Sequence, residues 1–225
     1  MATSIAEHAL TFITDGNVVG LGSGRASRNF VRALGARVQA GLQVEGIPTS
    51  QTTADLAKSL GIRLTTLNDV DRIDIAIDGA DEVDPALHLI KGYGGALVRE
   101  KIVAASAQRF VILVGTEKLV PVLGSRGKLP IEILPFGVAL CLRRLHEFDW
   151  QPQLREENGR PFATDNDNYI IDCSISGLGL PSPAAWEHKL LAIPGVIGTG
   201  LFVDMADTVL IQDGENVQVR ERKHA

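Results

Sequence analysis

The sequence predicts an α/β protein, a doubly wound and mostly parallel sheet joined to a smaller α+β unit. Three observations carry this reading. Single helical segments alternate with short apolar strands as far as Gly115, the pattern of stacked βαβ units. From about Pro130 strands and helices follow each other in a different rhythm. Glycine-rich or acidic segments recur directly after the strands, where doubly wound sheets place their ligands.

Along the chain, residues 3–14 carry Ile5, Ala9, Phe12 and Ile13 at helical spacing, and Asp15-Gly16 ends the run. Asn17–Leu21 reads as a buried strand that enters Gly22-Ser23-Gly24. Helical periodicity resumes over Arg25–Val38. A strand at Gln43–Gly46, a helix at Ser50–Leu60 and a strand at Arg63–Thr66 follow. RIDIAID alternates up to Asp78, Ala96–Gln108 is helical, and RFVILVG is a further buried strand. Beyond Pro130 come the strand PIEIL, a helix through Leu145, a strand near Trp150–Arg155, the strand NYIIDCSI and a helix at Pro183–Leu191. IPGVIGTGLF and DTVLIQ supply the last strands. The expected division is residues 1–129 with 201–225 in the larger domain and 130–200 in the smaller.

Composition narrows the function. The 225 residues are 45% apolar and 22% charged, with a net charge of −5, which fits a folded domain and disfavours a nucleic-acid partner. Cys141 and Cys173 stand alone in apolar settings and read as small core residues rather than a zinc site or disulfide. The N-terminal segment lacks the basic and long apolar regions of a signal peptide, and no stretch is long enough to span a bilayer. The expected location is the cytoplasm, with no membrane partner.

Four segments carry candidate chemistry. In Gly20-Leu21-Gly22-Ser23-Gly24-Arg25 the dinucleotide pattern G-x-G-x-x-G fails in both frames, and no Walker lysine follows. What remains is a small-anion cradle at a helix start, with Ser23 and Arg25 as extra donors; a plain strand–helix turn is the alternative. Asp78-Gly79-Ala80-Asp81-Glu82 places two carboxylates after a strand, suited to sugar hydroxyls and proton transfer. A calcium loop is not matched, since residue 76 is alanine; a solvated acidic turn is the bland reading. In Lys91-Gly92-Tyr93-Gly94-Gly95 a lysine precedes a glycine loop that opens a helix bearing Arg99-Glu100-Lys101. Lys91 suits an oxyanion or phosphate, and Glu100 is a candidate general base if its side chain turns inward. Three consecutive charges cannot all face one way on a helix, and periodicity does not say which one differs. Lys118, after RFVILVG, is by itself a loop lysine.

Together these segments resemble the type A ribose-5-phosphate isomerase family, in VGLGSGRAS, IDGADEVD and KGYGGALVREK, and further along in LPIEILPFG, TDNDNYIID and IPGVIGTGLF. The resemblance runs in order over nearly the whole chain. It implies a Rossmann-like domain with a smaller ferredoxin-like one, a homodimer or homotetramer, and no metal or cofactor. It implies aldose–ketose isomerisation of ribose 5-phosphate and ribulose 5-phosphate through a cis-enediolate, in the non-oxidative pentose phosphate pathway. By position Glu100 matches the catalytic base, Asp78 and Asp81 the paired aspartates, and Lys91 the active-site lysine. Ser23, Gly24, Arg25 and Ala26 match the phosphate loop. Lys118 matches a substrate lysine, and Gly79, Ala80, Gly92, Tyr93 and Gly94 complete the substrate-binding set. One departure stands out. The commoner motif carries hydroxyls where this chain has Arg25 and Ala26, and the early lysine of some members is missing, the first lysine here being Lys58. Arg25 is expected to supply that positive charge.

Two other readings compete. A glucosamine-6-phosphate deaminase would need a histidine acid/base. Of His8, His88, His146, His188 and His224, only His88 lies near a motif, and it is expected to face solvent or a dimer contact. A sugar-phosphate sensor would need a DNA-binding module, for which the chain leaves no room, and the Asp78/Asp81/Lys91/Glu100 set favours catalysis.

Overall fold

A computed structural model describes residues 4–175, 177 and 179–222; Thr3 of the expected first helix and His224 lie outside them. The chain runs α1 (Ile5–Leu10), β1 (Val18–Leu21), α2 (Gly24–Gln39), β2 (Glu45–Pro48), α3 (Gln51–Ser59), β3 (Arg63–Leu64), β4 (Ile75–Gly79). It continues through β5 (Glu82–Val83), β6 (Leu89–Ile90), α4 (Leu97–Ala105), β7 (Phe110–Gly115), β8 (Lys128–Ile133), α5 (Val138–His146) and β9 (Gln151–Leu154). The remainder is β10 (Glu156–Glu157), β11 (Arg160–Pro161), β12 (Tyr169–Ser174), α6 (Pro183–Leu191), β13 (Val196–Thr199), β14 (Leu201–Phe202), β15 (Thr208–Asp213) and β16 (Asn216–Glu221).

These elements form two compact units. Among the described residues, the first holds those within 1–80, 99–118 and 205–225, and the second those within 81–98 and 119–204. The units do not follow the boundaries expected at 129/130 and 200/201. Residues 81–98, 119–129 and 201–204 join the smaller unit, because β5 pairs with β6 (Glu82 with Ile90), β6 pairs with β14 (Leu89 with Phe202), and none of the three joins the large sheet. Two-residue strands leave too little periodicity to be seen in sequence.

The first unit is a seven-stranded sheet in the order β3-β2-β1-β4-β7-β15-β16. All neighbours are parallel except the edge hairpin β15–β16. This is the Rossmann-like, doubly wound order, reversing direction between β1 and β4. Central β4 is apolar at consecutive positions, Ile75, Ala76 and Ile77 all being buried, as a parallel strand covered on both faces requires. Phe30, Val31 and Leu34 of α2 pack on Val19, Leu21, Ile77, Val111 and Leu113. The expected 3–14 helix is shorter. Ser4 caps α1, accepting the Glu7 N–H while Glu7 accepts the Ser4 N–H. Beyond Leu10 the chain tightens, with Phe12 and Ile13 bonding to carbonyls three residues back.

The second unit is built on an antiparallel sheet ordered β13-β8-β12-β9. Its β8-α5-β9-β12-α6-β13 connectivity is the ferredoxin-like arrangement. β8 alternates, so Leu129, Ile131 and Ile133 enter a core with Cys141, Leu145, Ile171, Cys173 and Leu190. Both cysteines are free and buried there, and burial pushes both thiols up, so they are inert packing groups. Glu132 points to the other face of the sheet and is also fully buried. It accepts hydrogen bonds from Thr164 Oγ1 (3.1 Å), Asn166 Nδ2 (3.0 Å) and Asn168 Nδ2 (2.9 Å). Those bonds tie the TDNDN turn to LPIEIL. Among the described residues no helix is long and apolar enough to cross a membrane.

Candidate active site

The residues singled out in the sequence fall into two groups, one in each unit. Ser23, Gly24, Arg25, Ala26, Asp78, Gly79, Ala80, Glu100 and Lys118 belong to the first. Asp81, Lys91, Gly92, Tyr93 and Gly94 belong to the second.

In the first unit, β1 and β4 are adjacent parallel strands, and both end at the same edge of the sheet. Asp78, the fourth residue of β4, is buried beside the turn that leaves β1. Its Oδ1 accepts from the Ser27 hydroxyl (2.8 Å), the Gly79 N–H (2.7 Å) and the Ser23 N–H (3.1 Å). Gly22 is the residue that permits this approach, since a Cβ there would lie 2.2 Å from the Asp78 carboxyl. Thr53 of α3 secures the turn by donating its hydroxyl to the Gly22 carbonyl (3.1 Å).

Ser23 occupies the N-cap position of α2, yet its hydroxyl makes no cap hydrogen bond. It donates instead to Oε1 of Glu100. Among Arg99, Glu100 and Lys101 it is Glu100 that turns inward, at 5% exposure, while its neighbours are half-buried. Serine hydroxyl, Asp78 carboxylate and Glu100 carboxylate are thus gathered around one glycine turn. Ser27 also belongs to this set and was not foreseen; its signal was the fully apolar face of α2, in which a buried serine is out of place.

Arg25 lies exposed in the first turn of α2. Neither an ion pair nor a hydrogen bond holds its side chain within the described residues. Ala26 packs near Gly79, 3.7 Å from where a Cβ would stand there. Lys118 ends a single 3₁₀ turn, Thr116–Lys118, directly after β7. Ala80 is half-buried after β4.

In the second unit, Lys91 follows β6 and is 3% exposed. Its N–H donates to the Gly200 carbonyl (2.9 Å), and its Nζ lies 5.4 Å from the centre of the Phe202 ring. The following loop turns through Gly92 and Gly95, at φ +106° and +86°, values that favour glycine. Asp81 holds the loop by accepting the Tyr93 N–H at Oδ2 (3.0 Å). The Tyr93 hydroxyl accepts the Lys128 N–H (2.9 Å), and burial, followed by the nearby acidic charges, pushes that phenol up. Glu82 is buried below and accepts the Gly124 and Arg126 N–H groups (2.6 and 3.3 Å). Burial raises its carboxyl more than those bonds lower it. His88 differs from expectation. Instead of facing solvent it accepts the Asp204 N–H at Nδ1 (3.2 Å), with its side chain mostly covered. Among the described residues no cluster of three or more His, Cys, Asp or Glu side chains could hold a metal ion.

Comparison with known proteins places this chain among the sugar-phosphate isomerases. The sequence pattern described as Ribose 5-phosphate isomerase A (phosphoriboisomerase A) matches residues 45–216. The chain belongs to that family. It is 47% identical over 219 residues to the ribose-5-phosphate isomerase A of Thermomicrobium roseum, covering 96% of this chain and 92% of that one. Identity to the Roseiflexus sp. RS-1 protein of the same name is 46% over 215 residues, covering 94% and 91%. The ribose 5-phosphate isomerase structure from Plasmodium falciparum superposes with a TM-score of 0.93 at 35% identity, covering 98% and 97%. A D-ribose-5-phosphate isomerase solved in complex with phospho-erythronic acid also scores 0.93, at 40% identity over 97% and 96%.

Proposed function

We propose that the protein interconverts D-ribose 5-phosphate and D-ribulose 5-phosphate through a cis-enediolate, with Glu100 as general base. The observation that carries this reading is the buried Glu100 carboxylate, held by the Ser23 hydroxyl beside Asp78. Family membership supports the substrate, as does the phosphorylated sugar acid held by a 40% identical relative.

The chemistry follows from the residue types. The sugar must first open, exposing the C1 aldehyde. Glu100 then takes the C2 proton, and the C1–C2 bond gains double-bond character as negative charge moves to O1. A proton passes from O2 to O1, and Glu100 returns its proton to C1, leaving the carbonyl at C2. Asp78 and Asp81 are the groups for ring opening and the O2-to-O1 transfer. Lys91 provides positive charge for the developing oxyanion. A positioned base contributes about 10²–10⁴-fold, so electrostatic preorganisation supplies much of the remainder. The helix start at Ser23–Ala26, with Arg25, is our phosphate site.

The test is direct. Purified, EDTA-treated protein incubated with ribose 5-phosphate should form ketose with no added metal or nucleotide. In heavy water the product should carry solvent deuterium on carbon. Activity lost in EDTA and restored by one divalent ion would show that the aspartates hold a metal. No deuterium over many turnovers would point to hydride transfer or a fully shielded proton.

We also infer that the chain self-associates. Phe136 is 97% exposed, with the half-exposed apolar Leu134 and Ile197 on the same unit, a patch that a partner copy would cover. Light scattering of the native protein and of Phe136→Asp checks this, a monomeric native protein being the contrary result.

A further inference from the structure

The loop after Lys91 has two glycines at positive φ and little intrinsic rigidity. One turn bond of its own, from the Gly95 N–H to the Gly92 carbonyl (3.0 Å), closes it, and further order within the second unit comes from outside. Arg155 donates from Nη1 to the carbonyl oxygens of both Gly92 and Tyr93, each at 3.2 Å. That guanidinium is itself locked, with Nε on Asp172 Oδ2 (2.9 Å) and Nη2 on Asp172 Oδ1 (2.5 Å). Lys128 Nζ reaches the same carboxylate. The guanidinium lies 5.6 Å from the Phe162 ring, and that ring presses on Gly95, where a Cβ would stand 2.6 Å from its edge. Arg155 and Phe162 therefore touch the loop, with Asp172 behind Arg155, and none of the three has a place in the isomerisation.

Peptide planarity turns these contacts into a direction. In a trans peptide the carbonyl and the N–H point opposite ways. The Gly92–Tyr93 peptide is gripped at both ends, its carbonyl by Arg155 and its N–H by Asp81. Among the described residues the Tyr93–Gly94 peptide is gripped at its carbonyl only, which aims the Gly94 N–H away from Arg155. Gly94 is exposed. A cationic donor on a carbonyl also polarises the whole peptide, so the N–H at its far end becomes a better donor.

We propose that Arg155, locked by Asp172, is a positioning residue that fixes and polarises the Tyr93–Gly94 peptide so that the Gly94 N–H serves the oxyanion of the reacting sugar. The assignment rests on the isomerase reading above. A donor of this kind acts where charge develops, so it raises kcat more than it lowers KM. Lysine at 155 keeps the charge but not the planar fork that grips two carbonyls and a carboxylate at once.

The experiment pairs kinetics with a readout that needs no turnover. Wild-type conversion of ribose 5-phosphate tests the isomerase reading itself; its failure would leave the amide measurement below to decide the positioning role alone. Given activity, Arg155→Lys and Arg155→Ala should each lower kcat about tenfold or more with KM changed less than about threefold, and guanidinium ion should restore part of the Arg155→Ala rate. Independently, the Gly94 amide resonance of the unliganded protein, labelled with ¹⁵N, should move upfield in Arg155→Lys. A folded variant with unchanged kcat, a loss confined to KM, or an unmoved Gly94 amide overturns the proposal. If Arg155→Ala does not fold, Arg155→Lys and Asp172→Asn carry the same comparison, and Asp172→Asn should show the smaller kcat loss.

Discussion

The Ser23 hydroxyl donates to the Glu100 carboxylate across 77 residues of sequence, leaving the N-terminus of α2 without its side-chain cap. A serine N-cap is usually retained for helix stability, at about 1 kcal/mol. Here that contribution is given up, and the hydroxyl sets the rotamer of a buried carboxylate. The helix start is left with unpaired N–H groups, and these favour an anion.

The first prediction concerns that pair. Glu100→Gln should keep the fold and lose nearly all isomerisation, since an amide cannot accept the C2 proton. Ser23→Ala should lower kcat about tenfold, as expected for one hydrogen bond worth roughly 1.4 kcal/mol. Steady-state kinetics with circular dichroism as the folding control decides it. More than a few per cent of native rate in Glu100→Gln would remove that residue from the mechanism.

Asp172 makes a pH-dependent contribution. Burial alone would raise its carboxyl, but hydrogen bonds and charge from Arg155 and Lys128 bring it below the ordinary 3.8. A group depressed in the folded state stabilises the protein above its unfolded value, and the contribution is lost as pH falls through the folded one. Asp172→Asn should therefore cost about 1.5–3 kcal/mol at pH 7, and the gap to native protein should begin to close only as pH falls below the ordinary 3.8. Urea unfolding at several pH values measures it, and a gap that stays constant with pH would contradict the assignment.

Glu132 is the third case. Its side chain receives three donors in a fully buried place. Glu132→Ala strands the buried Thr164 and Asn168 donors, while exposed Asn166 can turn to water, and unsatisfied buried groups cost about 1–3 kcal/mol each. A loss of about 3 kcal/mol in urea unfolding is expected, with kcat nearly unchanged in whatever remains folded. A variant as stable as the native chain would show that water replaces the carboxylate.

Much of this is legible in the sequence, and the reasons differ by residue. α6 begins and ends where Pro183 and Leu191 mark it, because proline suits a first helical turn. β7 is an uninterrupted apolar run between charged and glycine boundaries. Glu100 was visible as a charge but not as a direction, since only packing against the β1 turn decides which of three neighbouring charges is buried. Asp172 left a trace, a charged residue between Ile171 and Cys173 in a buried strand. Arg155 left none: its partners at Gly92 and Tyr93 lie 63 and 62 residues away, and no local period encodes such a pairing.

The last prediction takes up the departure in the phosphate loop. Arg25 sits in the first turn of α2, exposed, without an acidic partner among the described residues. A surface arginine in search of stability would ordinarily be paired along its helix; this one stands instead at the positive end of a sixteen-residue helix dipole, where a cation is unfavourable unless an anion joins it. A guanidinium is planar, always charged and matched to phosphate oxygens, so it can replace two neutral hydroxyl donors. Arg25→Ala should raise KM for ribose 5-phosphate about tenfold or more, the equivalent of one charged hydrogen bond at ~1.5–3 kcal/mol. Removing the dipole conflict should at the same time leave stability unchanged or slightly higher. Turnover of unphosphorylated ribose at high concentration should hardly change. Equal losses on both sugars would mean that Arg25 shapes the loop, and an unchanged KM would take the phosphate away from it altogether.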